Sequence, residues 1–376
     1  MSSLRKNDNN LGARGDSIAW PMVSVVILNF NGKEFLNKCL DSVSRSRYAN
    51  LEVILVDNAS TDGSLESVQR SFGQYRNLKI ITSRSNLGFA EGNNTGARAA
   101  TGEYVLFLNN DTEVDREWLR ELVTIVQSDK TVGAAQSKLL SFDRKTIDSA
   151  GDFLNCYGKG WMRGCKEEDK GQYERVDEIF SARGAAMIVK KQILRQVGYF
   201  DPTFFMLCED LDLGWRIRLN GYKVMFVPKS TVYHFGSGTR KNVQGSEEGY
   251  YYNSRNSLIM LIKNYDMRNL LMGGITNISV ELIMFLISLP FPSKKTYNLS
   301  RVRALSWVML NFRHIWRKRL KVQCLVRRVS DDQIKKLMIK GNSPFLGIIW
   351  NLFYKDKVDY DHFLNRNVLF RNRWVS

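Results

Sequence analysis

Three carboxylates crowd into four positions of the stretch CEDLDLGWR, between strongly apolar flanks: Glu209, Asp210 and Asp212. Neighbouring carboxylates repel one another, which costs stability and raises the pKa of at least one of them. A carboxylate whose pKa is moved toward neutrality is suited to take a proton from a sugar hydroxyl. The alternative is the acidic first turn of a helix over 211–219, favoured by the helix dipole, and it accounts for one or two of the three.

A candidate metal ligand follows the apolar run YVLFL, in the stretch NNDTEVD. A strand there would hold the carboxylate of Asp111 at the edge of a sheet, where it could bind a hard divalent cation on a diphosphate. The alternative is that Asp111, or Thr112 in its place, caps the next helix. His234 follows the predicted strand YKVMFVP by a short link. It is either a structural residue or a neutral imidazole that completes the metal site.

Polar side chains also follow the first two predicted strands. Asn29 and Asn31 come after VSVVIL, and Asp57 and Asn58 come after LEVILVD. Asp57 and Asn58 could hydrogen-bond the edge of a nucleobase, because together they offer an acceptor and a mixed donor. Turn chemistry alone also places Asn and Asp in such loops, and Asp62 is predicted to cap the following helix.

The segment NLGFAEGNNTGARAATG is rich in glycine and opens a predicted helix. Its backbone N–H groups could therefore approach a phosphate. It is not the GxGxxG pattern after a first strand, which argues against an enzyme that uses nicotinamide or flavin.

These candidates need a scaffold that brings strand ends together. The strands VSVVIL, LEVILVD, LKIIT and YVLFLN alternate with helical patterns near residues 34–44, 64–72, 90–100 and 116–127. Such alternation predicts an α/β fold with a mostly parallel sheet covered by helices on both faces. Ligands of these sheets bind at the carboxyl ends of the strands, so we expect one shared cleft.

Length and composition favour a large catalytic domain and an accessory region. Of the 376 residues, 44% are hydrophobic and 25% are charged, as in globular proteins. We expect a disordered segment over 1–20, a catalytic domain over 21–245, and a helical, basic region over 246–376. Residues 1–19 contain no apolar run of a secretory signal, so a cytosolic catalytic part is expected. Five scattered cysteines predict reduced thiols rather than disulfides or a zinc site.

Most of the basic character lies in the accessory region. The net charge is +17, and from residue 294 onward 19 Lys and Arg face 5 Asp. That charge attracts either nucleic acid or anionic lipid. The apolar run 270–291 is long enough to span a bilayer, but Asn277, Glu281 and Ser288 fall on one face of the predicted helix. We expect monotopic attachment to the cytoplasmic face of the membrane, with a plain core helix as the alternative.

The motifs together resemble a known family. VSVVILNFNG, VDNASTDGS, NLGFAEGNNTGARAATGEYVLFLNNDTEVD, RGAAMIVKKQILRQVGYFDPTFFMLCEDLDLGWR and VYHFGSGT occur in that order over residues 23–239. In this they resemble glycosyltransferase family 2, which has the GT-A fold, and within it the bacterial rhamnosyltransferase-like branch. The resemblance implies that an acceptor hydroxyl displaces the nucleoside diphosphate from a nucleotide sugar with inversion.

Site roles follow from that resemblance. Asp210 matches the family's catalytic base, and we place Glu209 beside it among the catalytic residues. Asp111 matches the last residue of the DxD metal motif, and His234 matches a histidine that binds the metal in some members. The residues expected to bind the nucleotide sugar are Asn29, Asn31, Asp57, Asn58, Asn93, Asn110 and Asp111.

The implied cofactor is Mg²⁺ or Mn²⁺. Asn109 and Asn110 stand where many relatives carry carboxylates, which predicts weaker metal binding. Asn-Asn-Asp is also common in the rhamnosyltransferase-like branch, so the preferred donor is dTDP-rhamnose, with a UDP-sugar as the alternative. The expected acceptor is a lipid-linked or cell-surface polysaccharide precursor. The rival hypotheses are an inactive nucleotide-sugar-binding scaffold and a basic nucleic-acid-binding protein; we expect no nucleic-acid partner.

Overall fold

The computed structural model describes residues 20–236, 246–290 and 295–339. The segment predicted to be disordered, 1–20, lies outside this part of the chain except for its last residue, and so does 340–376. The strands of the described part, in chain order, are β1 (Val23–Asn29), β2 (Leu51–Asp57), β3 (Leu78–Thr82), β4 (Tyr104–Asn109), β5 (Thr112–Val114), β6 (Val132–Ser141), β7 (Ile147–Ser149), β8 (Asp152–Leu154), β9 (Gly160–Met162), β10 (Asp177–Glu178), β11 (Ala186–Lys190) and β12 (Lys223–His234).

One mixed sheet contains ten of these strands, with the main order β10-β12-β6-β11-β4-β1-β2-β3. The four strands β3, β2, β1 and β4 are parallel, as predicted. The prediction of a mostly parallel sheet is wrong for β11, which runs antiparallel to both β4 and β6, whereas β12 is again parallel to β6. An antiparallel neighbour needs no crossover helix, and the βαβ pattern of the first 128 residues does not extend to this segment.

Helices cover both faces of the sheet. In chain order they are α1 (Leu36–Ser44), α2 (Ser64–Phe72), α3 (Gly88–Ala99), α4 (Trp118–Ser128), α5 (Lys191–Val197), α6 (Glu209–Leu219), α7 (Glu247–Asn264), α8 (Met267–Ser288), α9 (Lys295–Leu310), α10 (Phe312–Lys321) and α11 (Asp331–Lys335). Side chains alternate along β1, so that Val25 and Ile27 enter one buried apolar cluster and Val26 enters the other. The first four helices begin and end within two residues of the predicted bounds.

The carboxyl ends of the parallel strands lie level with one another. Asn29 at the end of β1 pairs with Asp57 at the end of β2, and Asp57 pairs with Thr82 at the end of β3. Leu28 pairs with Asn109, the last residue of β4. The polar loops that follow these strands therefore start from one edge of the sheet, as expected.

Strand β12 differs from its prediction. It does not stop at Pro228 but continues to His234, with a register shift against β6 between Val227 and Thr231. Proline has no N–H to donate to a neighbouring strand, and a bulge accommodates it. His234 is therefore the last residue of a strand rather than part of a link, and it pairs with Thr112, next to Asp111.

The helices after residue 246 share the core of the preceding domain. Leu258 and Leu261 on α7 belong to the same buried cluster as Trp215 on α6. Lys263 on α7 donates a hydrogen bond to the carboxylate of Asp212 on α6, at 3.0 Å. The accessory region is thus packed onto the helix that carries the clustered carboxylates.

Helix α8 covers most of the predicted apolar segment, whose last residue, 291, lies outside the described part of the chain. Asn277, Glu281 and Ser288 are buried on one face, as the helical spacing predicts. In the described residues, α8 alone is long and apolar enough to cross a membrane, with a mean hydropathy of 1.9.

Candidate active site

A hydrogen-bonded network joins the ends of β1, β2 and β4. The side-chain amide of Asn29 donates to Asp57 Oδ1 at 3.1 Å and accepts from Asn110 Nδ2 at 2.8 Å. The backbone of Gly32 passes so close that a Cβ there would lie 2.1 Å from Asn110 Nδ2. Glycine at this position therefore permits the first loop to close over the network.

Three further asparagines of the predicted nucleotide pocket lie in the neighbouring loops. Asn31 is exposed, has a φ of 53°, and accepts a hydrogen bond from the backbone of Thr61 at 2.8 Å. Asn58 is buried and accepts from Leu87 N at 2.9 Å. Asn93 is buried on α3 and donates to a backbone carbonyl of its own helix. Asn58 and Asn93 thus fix the loop and the helix, while Asn31 faces solvent.

The carboxylate of Asp111 and the ring of His234 form a buried pair. Asp111 Oδ1 lies 3.3 Å from His234 Nε2, and Asp148 Oδ2 lies 2.9 Å from His234 Nδ1. Burial lowers the pKa of His234, but the charges and hydrogen bonds of Asp111 and Asp148 outweigh burial and raise it to about 10. The ring therefore lies between two carboxylates that favour its protonated form. Asn109 Nδ2 lies 3.2 Å from the same Nε2 atom.

This donor set fits a divalent cation. A proton held between Asp111 and His234 Nε2 is the group that a cation would replace, since a ligating histidine must be neutral. Asp148 would then orient the ring through Nδ1–H, as carboxylates do behind metal-binding histidines. Among the described residues no cluster of three His, Cys, Asp or Glu side chains could hold a metal. Asp111 and His234 would therefore share the cation with oxygens of a substrate, which is how Mg²⁺ is often bound with phosphates.

Asp210 is a half-buried carboxylate at the start of α6. Burial and then the negative charge of Asp152 raise its pKa to about 6, against the opposing charge of Arg183. Its carboxylate accepts from the backbone of Leu211 at 2.8 Å and from that of Gly184 at 3.4 Å. A carboxylate with this pKa is ionised at neutral pH and still basic enough to accept a proton from a hydroxyl in a transition state.

Arg183 connects the two halves of the site. Its guanidinium forms an ion pair with Asp152 at 2.8 Å and interacts electrostatically with both Asp148 and Asp210. Burial lowers the pKa of Arg183, but these three carboxylates raise it well above its usual value, so the side chain stays charged. The candidate base Asp210 and Asp148, the carboxylate that contacts the ring of His234, therefore interact with the same guanidinium.

The other two carboxylates of the cluster have different surroundings. Glu209 is buried, its Oε2 atom has no hydrogen-bond partner among the described residues, and burial together with the charge of Asp210 raises its pKa well above the usual value. Asp212 is fully buried and pairs with Arg216 and Lys263, whose charges lower its pKa against the effect of burial. Of the three, Asp210 has the charge and the exposure that a base requires.

Sequence reasoning assigned no role to three residues of the site. Arg183 stands in the RGAAM motif that carries part of the family resemblance, and this was the one available signal. Asp148 on β7 and Asp152 on β8 lie four residues apart in a segment without a recognisable helix or strand period. Their approach to His234 and Arg183 depends on how β7 pairs with β6, which the sequence pattern does not predict.

Comparisons with known proteins find glycosyltransferases and a glycan biosynthesis protein among the similar sequences. The family model described as "Glycosyl transferase family 2" matches residues 24–198. The chain is 30% identical over 239 residues to the O-antigen biosynthesis protein RfbC of Myxococcus xanthus, which covers 61% of this chain and 18% of that protein. It is 26% identical over 204 residues to the low-salt glycan biosynthesis hexosyltransferase Agl10 of Haloferax volcanii, covering 52% of this chain and 61% of the relative.

A solved structure shows the same fold. The crystal structure of GalNAc-T7 with UDP, GalNAc and Mn²⁺ superposes with a TM-score of 0.57 at 16% identity, over 83% of this chain and 59% of that one. The GT-A fold expected from the sequence is therefore confirmed. The chain matches less than two thirds of the length of each of these two curated relatives.

Proposed function

We propose that this chain is an inverting glycosyltransferase that uses a nucleotide sugar, because residues 24–198 match the model of glycosyltransferase family 2. One observation carries the proposal: Asp210, whose pKa is raised to about 6, and Asp148, which contacts the ring of His234 beside Asp111, both interact with the guanidinium of Arg183. A proton acceptor for the attacking hydroxyl and a site for the leaving diphosphate suit a direct displacement at the anomeric carbon. Such a reaction needs a single base, unlike the carboxylate pair of a glycosidase.

In the proposed reaction Asp210 accepts the proton of the acceptor hydroxyl as its oxygen bonds to the anomeric carbon. The bond from that carbon to the diphosphate breaks, and the electron pair leaves with the nucleoside diphosphate. Asp111 and His234 would hold Mg²⁺ or Mn²⁺, and Asp148 would orient the imidazole. When bound, the cation would neutralise the charge that develops on the leaving diphosphate.

The nucleotide is proposed to bind along the ends of β1, β2 and β4. The polar residues there, with the loop that opens α3, are Asn29, Asn31, Asp57, Asn58, Asn93 and Asn110. Glu209 is proposed to act through its neighbour Asp210; burial and the charge of Asp210 raise the pKa of Glu209 well above its usual value.

The proposed donor is dTDP-rhamnose, and the proposed acceptor is a lipid-linked or cell-surface glycan precursor. The Asn-Asn-Asp sequence at 109–111 supports the donor through the family resemblance. The names of RfbC and Agl10 support a role in glycan biosynthesis. A UDP-sugar is the alternative donor, supported by the UDP in the GalNAc-T7 structure, whose Mn²⁺ also supports a divalent cation.

The test is release of nucleoside diphosphate from a panel of nucleotide sugars with Mg²⁺ or Mn²⁺, in the presence of a bacterial lipid extract as acceptor. We expect release with one donor, loss of release with EDTA, and a fall of roughly 10²–10⁴-fold in kcat for Asp210→Asn with donor affinity retained. Equal turnover by Asp210→Asn would remove this residue from the mechanism. Donor binding without turnover, for every donor and with the extract present, would favour the scaffold hypothesis instead.

A further inference from the structure

The polarity of helix α8 is reversed relative to a helix that packs on a water-soluble domain. Its polar side chains are buried against the protein, and among them are Asn269, Asn277, Glu281 and Ser288. Its large apolar side chains point outward, with Met272 64% and Ile275 63% exposed. We call this outward surface the α8 apolar face, and it consists of Met267, Leu271, Met272, Ile275, Ile278, Leu282, Leu286 and Leu289.

Specific polar contacts fix which side of α8 faces the protein. Glu281 accepts hydrogen bonds from Lys159 Nζ and Arg301 Nε, both at 3.1 Å. Asn277 Nδ2 donates to the backbone carbonyl of Tyr157 at 2.9 Å. Rotating the helix to bury its apolar face would break these contacts and expose or strand a charged carboxylate. The outward orientation of the apolar side chains is therefore built into the fold.

The size and charge of this face favour a lipid bilayer as its occupant. Monomeric proteins rarely expose a continuous apolar stripe that runs the length of a 22-residue helix, which is roughly 33 Å. From residue 270 to residue 289, Glu281 is the single charged residue, and it faces the protein. The chain that follows is strongly basic, with 19 Lys and Arg against 5 Asp from residue 294 onward. An apolar surface that is followed along the chain by a strongly basic segment complements an anionic membrane.

The helix would lie in the plane of the membrane rather than cross it. Its inner face is held by ion pairs of Glu281 with Lys159 and Arg301, two residues of the surrounding domain. If α8 crossed the membrane, the charged side chains of Glu281, Lys159 and Arg301 would enter the hydrocarbon, together with the hairpin β8–β9 and helix α9. We propose that the α8 apolar face embeds in the interface of an anionic bilayer and attaches the protein monotopically.

This attachment would also orient the candidate active site. Tyr157 and Lys159, which contact α8, lie in the turn of the hairpin β8–β9, and Asp152 is the first residue of that hairpin. Asp152 in turn pairs with Arg183 beside Asp210. Resting on the proposed function, this arrangement would hold Asp210 at a fixed position relative to the lipid surface and so favour an acceptor carried on a lipid.

The experiment is co-sedimentation of the full chain, without donor, with vesicles of phosphatidylcholine and of phosphatidylcholine mixed with phosphatidylglycerol. We expect stronger binding to the anionic vesicles and at least a tenfold loss for the variant Ile275→Glu/Leu282→Glu. Both substituted positions are more than half exposed, so the fold should be retained, as circular dichroism would check. The control is Val176→Glu, an exposed apolar position in the loop before β10, and it should bind like the unmodified protein.

Several results would overturn the proposal. One is sedimentation of the double variant with anionic vesicles at the level of the unmodified chain. Another is failure of the unmodified chain to bind any vesicle. If that chain is then a dimer in solution and the double variant is a monomer, the face binds a second copy. If the unmodified chain is a monomer, the face is covered by another segment of the chain, such as residues 340–376. If the unmodified chain binds vesicles but transfers no sugar, the proposed function is contradicted, whereas the membrane-binding role of the α8 apolar face is retained.

Discussion

At the scale of single residues, the site depends on how charges are shared around Arg183. Asp152 forms the direct ion pair with it at 2.8 Å, while Asp148 and Asp210 interact with it electrostatically. The guanidinium of Arg183 therefore lies among three carboxylates and cannot neutralise all of them. Burial raises the pKa of Asp210, and the negative charge of Asp152 raises it further.

The pH dependence of turnover should report this balance. The pKa of Asp210 is raised to about 6, and the base must be ionised to act, so kcat/KM should rise with pH through about 6 and then level off. Replacing Asp152 by Asn removes a charge that raises this pKa, so the rise should move to lower pH. Initial rates between pH 4.5 and 8 would measure both profiles. A shift to higher pH in Asp152→Asn would contradict this account.

The metal pair leads to a second prediction, about Asp148. Its carboxylate contacts His234 Nδ1 at 2.9 Å and is not itself a proposed ligand. Asp148→Asn should weaken Mn²⁺ binding by roughly 10- to 100-fold, because the charge that supports the histidine is lost. Isothermal titration calorimetry with Mn²⁺ and a nucleoside diphosphate would measure it. The matched control is Asp143→Asn, an exposed carboxylate in the turn between β6 and β7, and equal affinities of the two variants would exclude the supporting role.

Sequence patterns predicted some residues of the site and missed others. Asp111, His234 and Asp210 stand in motifs and were proposed from them. The structure pairs Asp111 with His234 and places Asp210 near Arg183. Asp148 and Asp152 were missed because strand pairing, rather than local spacing, places them. Asp57 and Asn29 were proposed separately for the nucleotide, and the structure joins them by a hydrogen bond of 3.1 Å.

At the scale of elements, helix α6 divides its carboxylates between two tasks. Asp210 lies on the side of the cleft, while Asp212 faces α7 and is fully buried. Lys263 on α7 bridges Asp212 at 3.0 Å and Asp201 at 2.6 Å. The buried Lys263 thus links α6, the helix that carries Asp210, to the helices that follow residue 246.

Removing that lysine should destabilise the protein strongly. Lys263→Met leaves Asp201 and Asp212 buried with one fewer positive charge, which costs roughly 3–5 kcal/mol in comparable buried pairs. The free energy of unfolding in urea would measure the loss. The control is Lys223→Met, because the ion pair of Lys223 with Asp129 lies at the surface, with both side chains more than 40% exposed, and should contribute far less to stability. Similar losses for the two variants would argue against a buried anchor.

The first half of the fold follows from periodicity. Strands β1 to β4 and helices α1 to α4 lie where apolar runs and helical patterns alternate, because each element buries one face against its neighbours. From residue 132 onward the pattern no longer determines the topology. Pairing with β6 determines both the antiparallel direction of β11 and the continuation of β12 past Pro228. Local sequence does not encode either feature.

At the scale of the whole molecule, the predicted boundary at residue 245 separates regions of different charge but not different cores. Ile259, Met260 and Leu261 on α7 are completely buried in the cluster that also holds Trp215 and Phe180. The composition of 246–376 suggested an accessory region because its basic residues are conspicuous. The apolar contacts with the preceding domain depend on three-dimensional packing, which composition does not show.

Truncation of the chain after residue 245 tests whether the catalytic region folds alone. The truncated protein would expose the surface that packs on α7 and leave Asp212 without Lys263 and Asn264. Each fully buried aliphatic side chain of α7 contributes about 1.5–3 kcal/mol, so the loss of several exceeds the usual stability of a domain. We expect an aggregated or molten product, detected by loss of a cooperative thermal transition in near-ultraviolet circular dichroism. A truncated chain that unfolds cooperatively and binds a nucleotide sugar as the full chain does would show instead that the helices after residue 246 are dispensable for the active-site fold.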